Sequence, residues 1–110
     1  MRQLVIDELS REERNNLDSY LKRNTRPAAM EGMFWLPLSE DLLAEAQQGH
    51  EKCGPFFFGL ELVEKKLIVE LLVRSQSNLH CTCISYATKA QRDFLLDFLD
   101  RMLQEEHIKA

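Results

Sequence analysis

Apolar and polar residues recur along this chain with two different periods, and the changes of period divide it into elements. Leu17, Tyr20 and Leu21 recur at helical spacing, with Leu9 just upstream. Ser10 offers an oxygen to the free N–H groups of a helix start, and Glu13 completes a capping box. The spacing therefore predicts a helix from Arg11 to about Lys22, ended by Asn24 and Thr25 before Pro27. Met33–Leu38 is short, aromatic and extended in character. Pro37 cannot donate to a ladder, so the segment reads as an edge strand or an ordered loop. Ser39, followed by Glu40 and Asp41, predicts a short helix to about Gln48, stopped by Gly49.

The period then shortens to two. Phe56–Val63, Lys66–Arg74 and Leu79–Ala87 read as three strands, joined by a tight turn at Glu64-Lys65 and by Ser75-Gln76-Ser77-Asn78. Helical spacing returns after Thr88, with Gln91 at the capping-box position. Phe94, Leu95, Phe98, Leu99, Met102 and Leu103 then form a broad apolar stripe. The order predicts one α+β domain over residues 1–110. It has a three- or four-stranded antiparallel sheet, with the N- and C-terminal helices packed on one face.

Alternation gives that sheet two faces. Phe56, Phe58, Leu60 and Leu62 point inward, where Leu62 meets Leu67, Leu60 meets Val69 and Phe58 meets Leu71. Phe57, Glu61, Ile68, Glu70, Leu72 and Arg74 point outward. In the third strand Cys81 and Cys83 suit the confined space under a helix, which sends His80, Ile84 and Tyr86 outward. The outer face is then too apolar to stand bare in water. Either the Met33–Leu38 segment or a second copy of the chain must cover it.

Composition narrows the classes. The chain is 45% hydrophobic and 29% charged, an ordinary globular balance. Its net charge of −4 argues against nucleic acid as a partner. The only basic density, Arg11, Arg14, Lys22, Arg23 and Arg26, is interleaved with Asp7, Glu8, Glu12, Glu13 and Asp18. The longest stretch without charged side chains, Ser75–Thr88, is polar and too short to cross a membrane. Asp7 and Glu8 interrupt Leu4-Val5-Ile6 where a signal sequence would be apolar. We therefore expect a cytoplasmic protein with free thiols and no membrane association.

Three cysteines cannot all pair within one chain. Cys53-Gly54-Pro55 resembles three of the four residues of the thioredoxin motif Cys-Gly-Pro-Cys. Phe56 stands at the fourth position, and a strand follows where thioredoxins open a helix. Gly54-Pro55 more simply turns the chain into that strand. His50-x-x-Cys53 and His80-Cys81-x-Cys83 supply zinc-ligating types. A meander brings the starts of its first and third strands to the same end, so the two groups could approach, although the middle strand would hold them about 9–10 Å apart. Glu61, Glu70 and His80 carry the groups of a general acid and base, on what also reads as a solvated face. No phosphate loop, dinucleotide fingerprint or hydrolase motif is present, and no cofactor is expected.

The leading expectation is a non-enzymatic interaction module. It homodimerises through Phe57, Ile68, Leu72, Ile84 and Tyr86, with Glu70 and Arg74 at the rim. Phe34 and Trp35 offer a ligand groove. The alternative is a small zinc protein using Cys53, Cys81 and Cys83 with His50 or His80. The third option is a small enzyme using Glu61, Glu70 and His80.

Overall fold

Both capping boxes form. In the computed structural model, which describes residues 1–110, Ser10 Oγ accepts from the Glu13 amide at 3.0 Å, and Glu13 Oε1 accepts from the Ser10 amide at 2.8 Å. Helix α1 (Arg11–Asn24) starts there and buries Leu17, Tyr20 and Leu21. Thr88 and Gln91 repeat the device at the start of α2 (Lys89–Glu105), which buries Leu95, Leu99, Met102 and Leu103. These side chains answer the free N–H groups that every helix start leaves.

Six antiparallel strands make one sheet: β1 (Gln3–Ile6), β2 (Arg26–Pro27), β3 (Met33–Pro37), β4 (Phe56–Val63), β5 (Lys66–Ser75) and β6 (Ser85–Tyr86). Their order is β1-β5-β4-β3-β2, with β6 also paired to β5. The fold is α+β, but the sheet has more strands than the three or four expected. Leu4-Val5-Ile6 is too short to declare a strand by alternation, yet it pairs with Val69, Ile68 and Leu67 of β5. The α1 helix is thus not the first element of the chain.

Phe34, Leu36, Phe58, Leu60, Leu62, Leu67, Val69 and Val73 point to one side. There they form a single core with the buried residues of both helices. Leu62 pairs with Leu67 and Leu60 with Val69, as alternation implies. Phe58 faces Val73 rather than Leu71, because the register shifts by two residues between Phe58 and Leu60. Gly59 sits at this bulge. A Cβ there would lie 2.6 Å from Glu70 Oε1, so the carboxylate occupies space that only glycine leaves free.

Two other expectations fail for a shared reason. The predicted helix over 40–48 shrinks to one 3₁₀ turn, Glu40–Leu42, and Leu43 is already extended. The predicted strand over 79–87 shrinks to Ser85–Tyr86. Both segments meet at the buried side chain of Gln47. Its Oε1 accepts from the Ala44 amide at 2.9 Å and from Gln91 Nε2 at 3.1 Å. Its Nε2 donates to the Cys83 carbonyl at 2.7 Å and to Ser85 Oγ at 3.3 Å. Gln91 Nε2 also donates to the Leu42 carbonyl at 2.9 Å. Backbone groups that a helix or a ladder would pair internally are satisfied here by two buried amides. No helix is long and apolar enough to cross a membrane.

Candidate metal centre

The start of β4 and the end of β5 are neighbours, because Phe56 pairs with Ser75. The segments flanking those residues therefore emerge side by side. Ser75, itself buried, joins them: its Oγ donates to the Cys53 carbonyl and accepts from the Asn78 amide at 3.0 Å. Ser77 Oγ donates to the Gly54 carbonyl at 2.7 Å, and the Gln76 amide donates to the Pro55 carbonyl at 3.1 Å. Residues 76–84 are thus held against residues 50–55.

Local geometry aims the side chains. His50 precedes a 3₁₀ turn over Glu51–Cys53. In such a turn residues i and i+3 eclipse, so His50 and Cys53 project together. Across from them Cys81 and Cys83 lie in a turn closed by the Ile84 amide donating to the Cys81 carbonyl at 3.2 Å. Gln47 fixes the Cys83 carbonyl from below.

The four side chains converge. Cys53 Sγ lies 3.6 Å from Cys81 Sγ. His50 Nδ1 is 3.3 Å from Cys81 Sγ and 3.9 Å from Cys53 Sγ. All four ligand atoms, Cys83 Sγ included, lie within 4.8 Å of one another. Metal–ligand bonds of about 2.3 Å to sulfur and 2.0–2.1 Å to nitrogen put tetrahedral edges near 3.8 Å for S···S and 3.6 Å for S···N. The observed separations bracket those edges.

Electrostatics inside the cluster are uneven. The Cys83 amide and the Cys83, Cys53 and His50 side chains hydrogen-bond Cys81, which outweighs desolvation and lowers its thiol to about 6. Burial, then hydrogen bonding to Cys81 and Cys53, pushes Cys83 up to about 12. Hydrogen bonding to Cys81, then desolvation, raises Cys53. One sulfur is thus held as thiolate by thiol donors around it.

Several expectations need correction here. His80 is exposed on the turn before Cys81, its amide bonded to Asn78 Oδ1 at 3.2 Å, and it does not join the cluster. The separation of 9–10 Å does not arise, because the cysteines leave the sheet and fold over its end. Cys83 is buried, as the inward placement requires, whereas Cys81 is half-exposed in a loop and has no sheet face. Gln47 and Ser75, which set the loops, carried no signal as isolated polar residues. The one available hint was the hairpin register itself, which puts residue 75 beside residue 56.

The other side of the sheet carries the remaining expectations. Met33–Pro37 does not lie across it; it joins the sheet as β3, and its Trp35 shields the expected interface residue Phe57, which is buried. Trp35 stacks on Phe57 at 4.5 Å and 11°. Phe34 points the opposite way into the core and lines no groove. Trp35, Phe57, Ile68, Glu70, Arg74 and Leu79 line a groove of about 440 Å³. Glu70 and Arg74 pair at 2.7 Å, which the bulge makes possible within one strand. Leu72 pairs with Tyr86, whose ring lies 3.9 Å beneath the Arg2 guanidinium. Ile84 sits before β6, in the loop. Glu61 and Glu70 share the groove, but Glu70 is bound to Arg74 and His80 is not among the lining residues. That trio is not assembled.

The chain matches no known protein family, no curated protein and no solved structure. The reading of the site rests on its geometry.

Proposed function

We propose that this protein binds one structural Zn²⁺ through His50 Nδ1 and the sulfurs of Cys53, Cys81 and Cys83. The observation that carries the reading is the mutual approach of four ligand atoms at near-tetrahedral separations. Three sulfurs and one imidazole suit zinc, and a set this tight encloses a single ion rather than a two-metal cluster. Four protein ligands leave no open position for a substrate, so the ion serves structure. It ties the loop before β4 to the loop after β5.

Native mass spectrometry of the untagged chain tests this. One zinc per chain is expected, lost on Cys81→Ser, with a chelator lowering the melting temperature of the parent only. A zinc-free mass and a melt indifferent to chelator would refute it.

A second reading is favoured by the outer face. Phe57 is buried there, but Trp35, Ile68 and Leu72 are only half-buried, and Val5 beside them is 48% exposed. We infer a homodimer through this face. The same spectrum reads it: a dimer mass supports the reading, and Leu72→Glu should return a folded monomer.

A further inference from the structure

Cys53 and Cys81 come from different loops, yet their sulfurs are 3.6 Å apart. Both are half-buried, whereas Cys83 is fully buried. An aqueous oxidant therefore meets Cys81 first, with Cys53 directly behind it, and does not reach Cys83. Neither Cys53 nor Cys81 lies in a strand or an α-helix, so each side chain can turn to close the gap to a disulfide of about 2.05 Å. Cys81 and Cys83, separated by one residue, are poorly placed to bond each other.

We propose that hydroperoxides oxidise Cys53 and Cys81 to a disulfide and thereby eject the zinc, making the cluster a redox-released metal site. The inference rests on the zinc reading given above. One thiolate attacks a peroxide oxygen, breaking the O–O bond. An S–O bond forms, and a hydroxide leaves and is protonated to water. The second sulfur then attacks the sulfenic sulfur and displaces the second oxygen as water. Two thiolates, one hydrogen peroxide and two protons give one disulfide and two waters: sulfur loses two electrons and peroxide gains them. His50 and Cys83 remain, and two ligands do not satisfy a tetrahedral ion. A dithiol reductant reverses the step by thiol–disulfide exchange and restores all four ligands.

The test uses the full chain loaded with zinc, hydrogen peroxide in small excess, and a chromogenic zinc chelator in solution. Disulfides are mapped by mass spectrometry after alkylation without reduction. We expect release of one zinc per chain in step with a Cys53–Cys81 link, and recovery of zinc on adding dithiothreitol and metal. In Cys83→Ser the same link should form, because the pair does not need the buried thiol. Zinc retained in the presence of the link, a link made through Cys83, or zinc lost with only sulfinic and sulfonic products would each overturn the switch. A chain that carries no zinc before peroxide is added would instead refute the metal reading, and the switch with it.

Discussion

Phe58 and Cys53 are near neighbours in the chain, but different forces hold them. Phe58 is fully buried among side chains from β3, β5 and both helices. Its position follows from apolar area removed from water, with about 1.5–3 kcal/mol gained for a side chain of this kind. Cys53 sits in a single 3₁₀ turn, and what fixes it is polar: the Ser75 hydroxyl on its carbonyl and three ligand-type side chains around its sulfur. The body of the protein needs many interchangeable contacts. The thiol end needs a few particular ones, and losing any of them is felt locally. Regular secondary structure occupies the hairpin itself, and the specific chemistry sits in the loops at its open end.

That contrast can be broken from either side. Phe58→Ala should have the largest effect, destabilising the whole fold by about 3–5 kcal/mol in chemical denaturation, whether or not zinc is present. Cys81→Ser should remove only the stabilisation that zinc confers. At a free zinc concentration a hundred times Kd this is about 2.7 kcal/mol, read as a melting difference that vanishes in chelator, with the helical circular dichroism unchanged. Gln47→Leu cuts the link between the two regions. It leaves the Gln91 amide and the Cys83 carbonyl without their buried partner, at about 1–3 kcal/mol, and should weaken zinc binding as well. Glu70→Gln, on the partly exposed outer face, should cost less than about 1 kcal/mol and leave zinc affinity untouched.

The thiol end should also show a pH signature that the body lacks. At neutral pH Cys81, at about 6, has already lost its proton, while Cys53 and Cys83 are raised and keep theirs. Zinc must displace about two protons, so affinity should rise with pH, by about a hundredfold per unit near pH 7. Competition titrations at several pH values, with proton release followed by an indicator, measure this. A pH-independent affinity would contradict the assigned ligands.

What could be read from the sequence follows the same division. Ser10 with Glu13 and Thr88 with Gln91 announced both helices, because a capping box is local chemistry. The inner face of the hairpin was legible from Leu60 to Val69, because period-two alternation sets the register there. It failed past Gly59, where two extra residues of β5 bulge; an isolated glycine in a strand is the available sign of that. The residues of the metal cluster were all visible, and so was their emergence at one end of the sheet, but their close meeting was not. Thr82, Ile84 and Tyr86 have good strand propensity, so residues 79–87 read as a third strand, one spacing too far away. Tertiary bonds from Gln47 and Ser75 override that propensity, and no periodicity encodes them.

The placement of the ligands along the chain has a mechanical consequence. A cross-link between Cys53 and Cys81, through a metal ion or a disulfide, turns residues 54–80 into a closed ring that contains the whole β4–β5 hairpin. Pulled from its two ends, the cross-linked chain cannot pay out that segment. About 90 Å of contour stays hidden until the ring is opened. In a force-extension trace the central hairpin would lie outside the load path, and the full unfolding length would return only when the thiols are free.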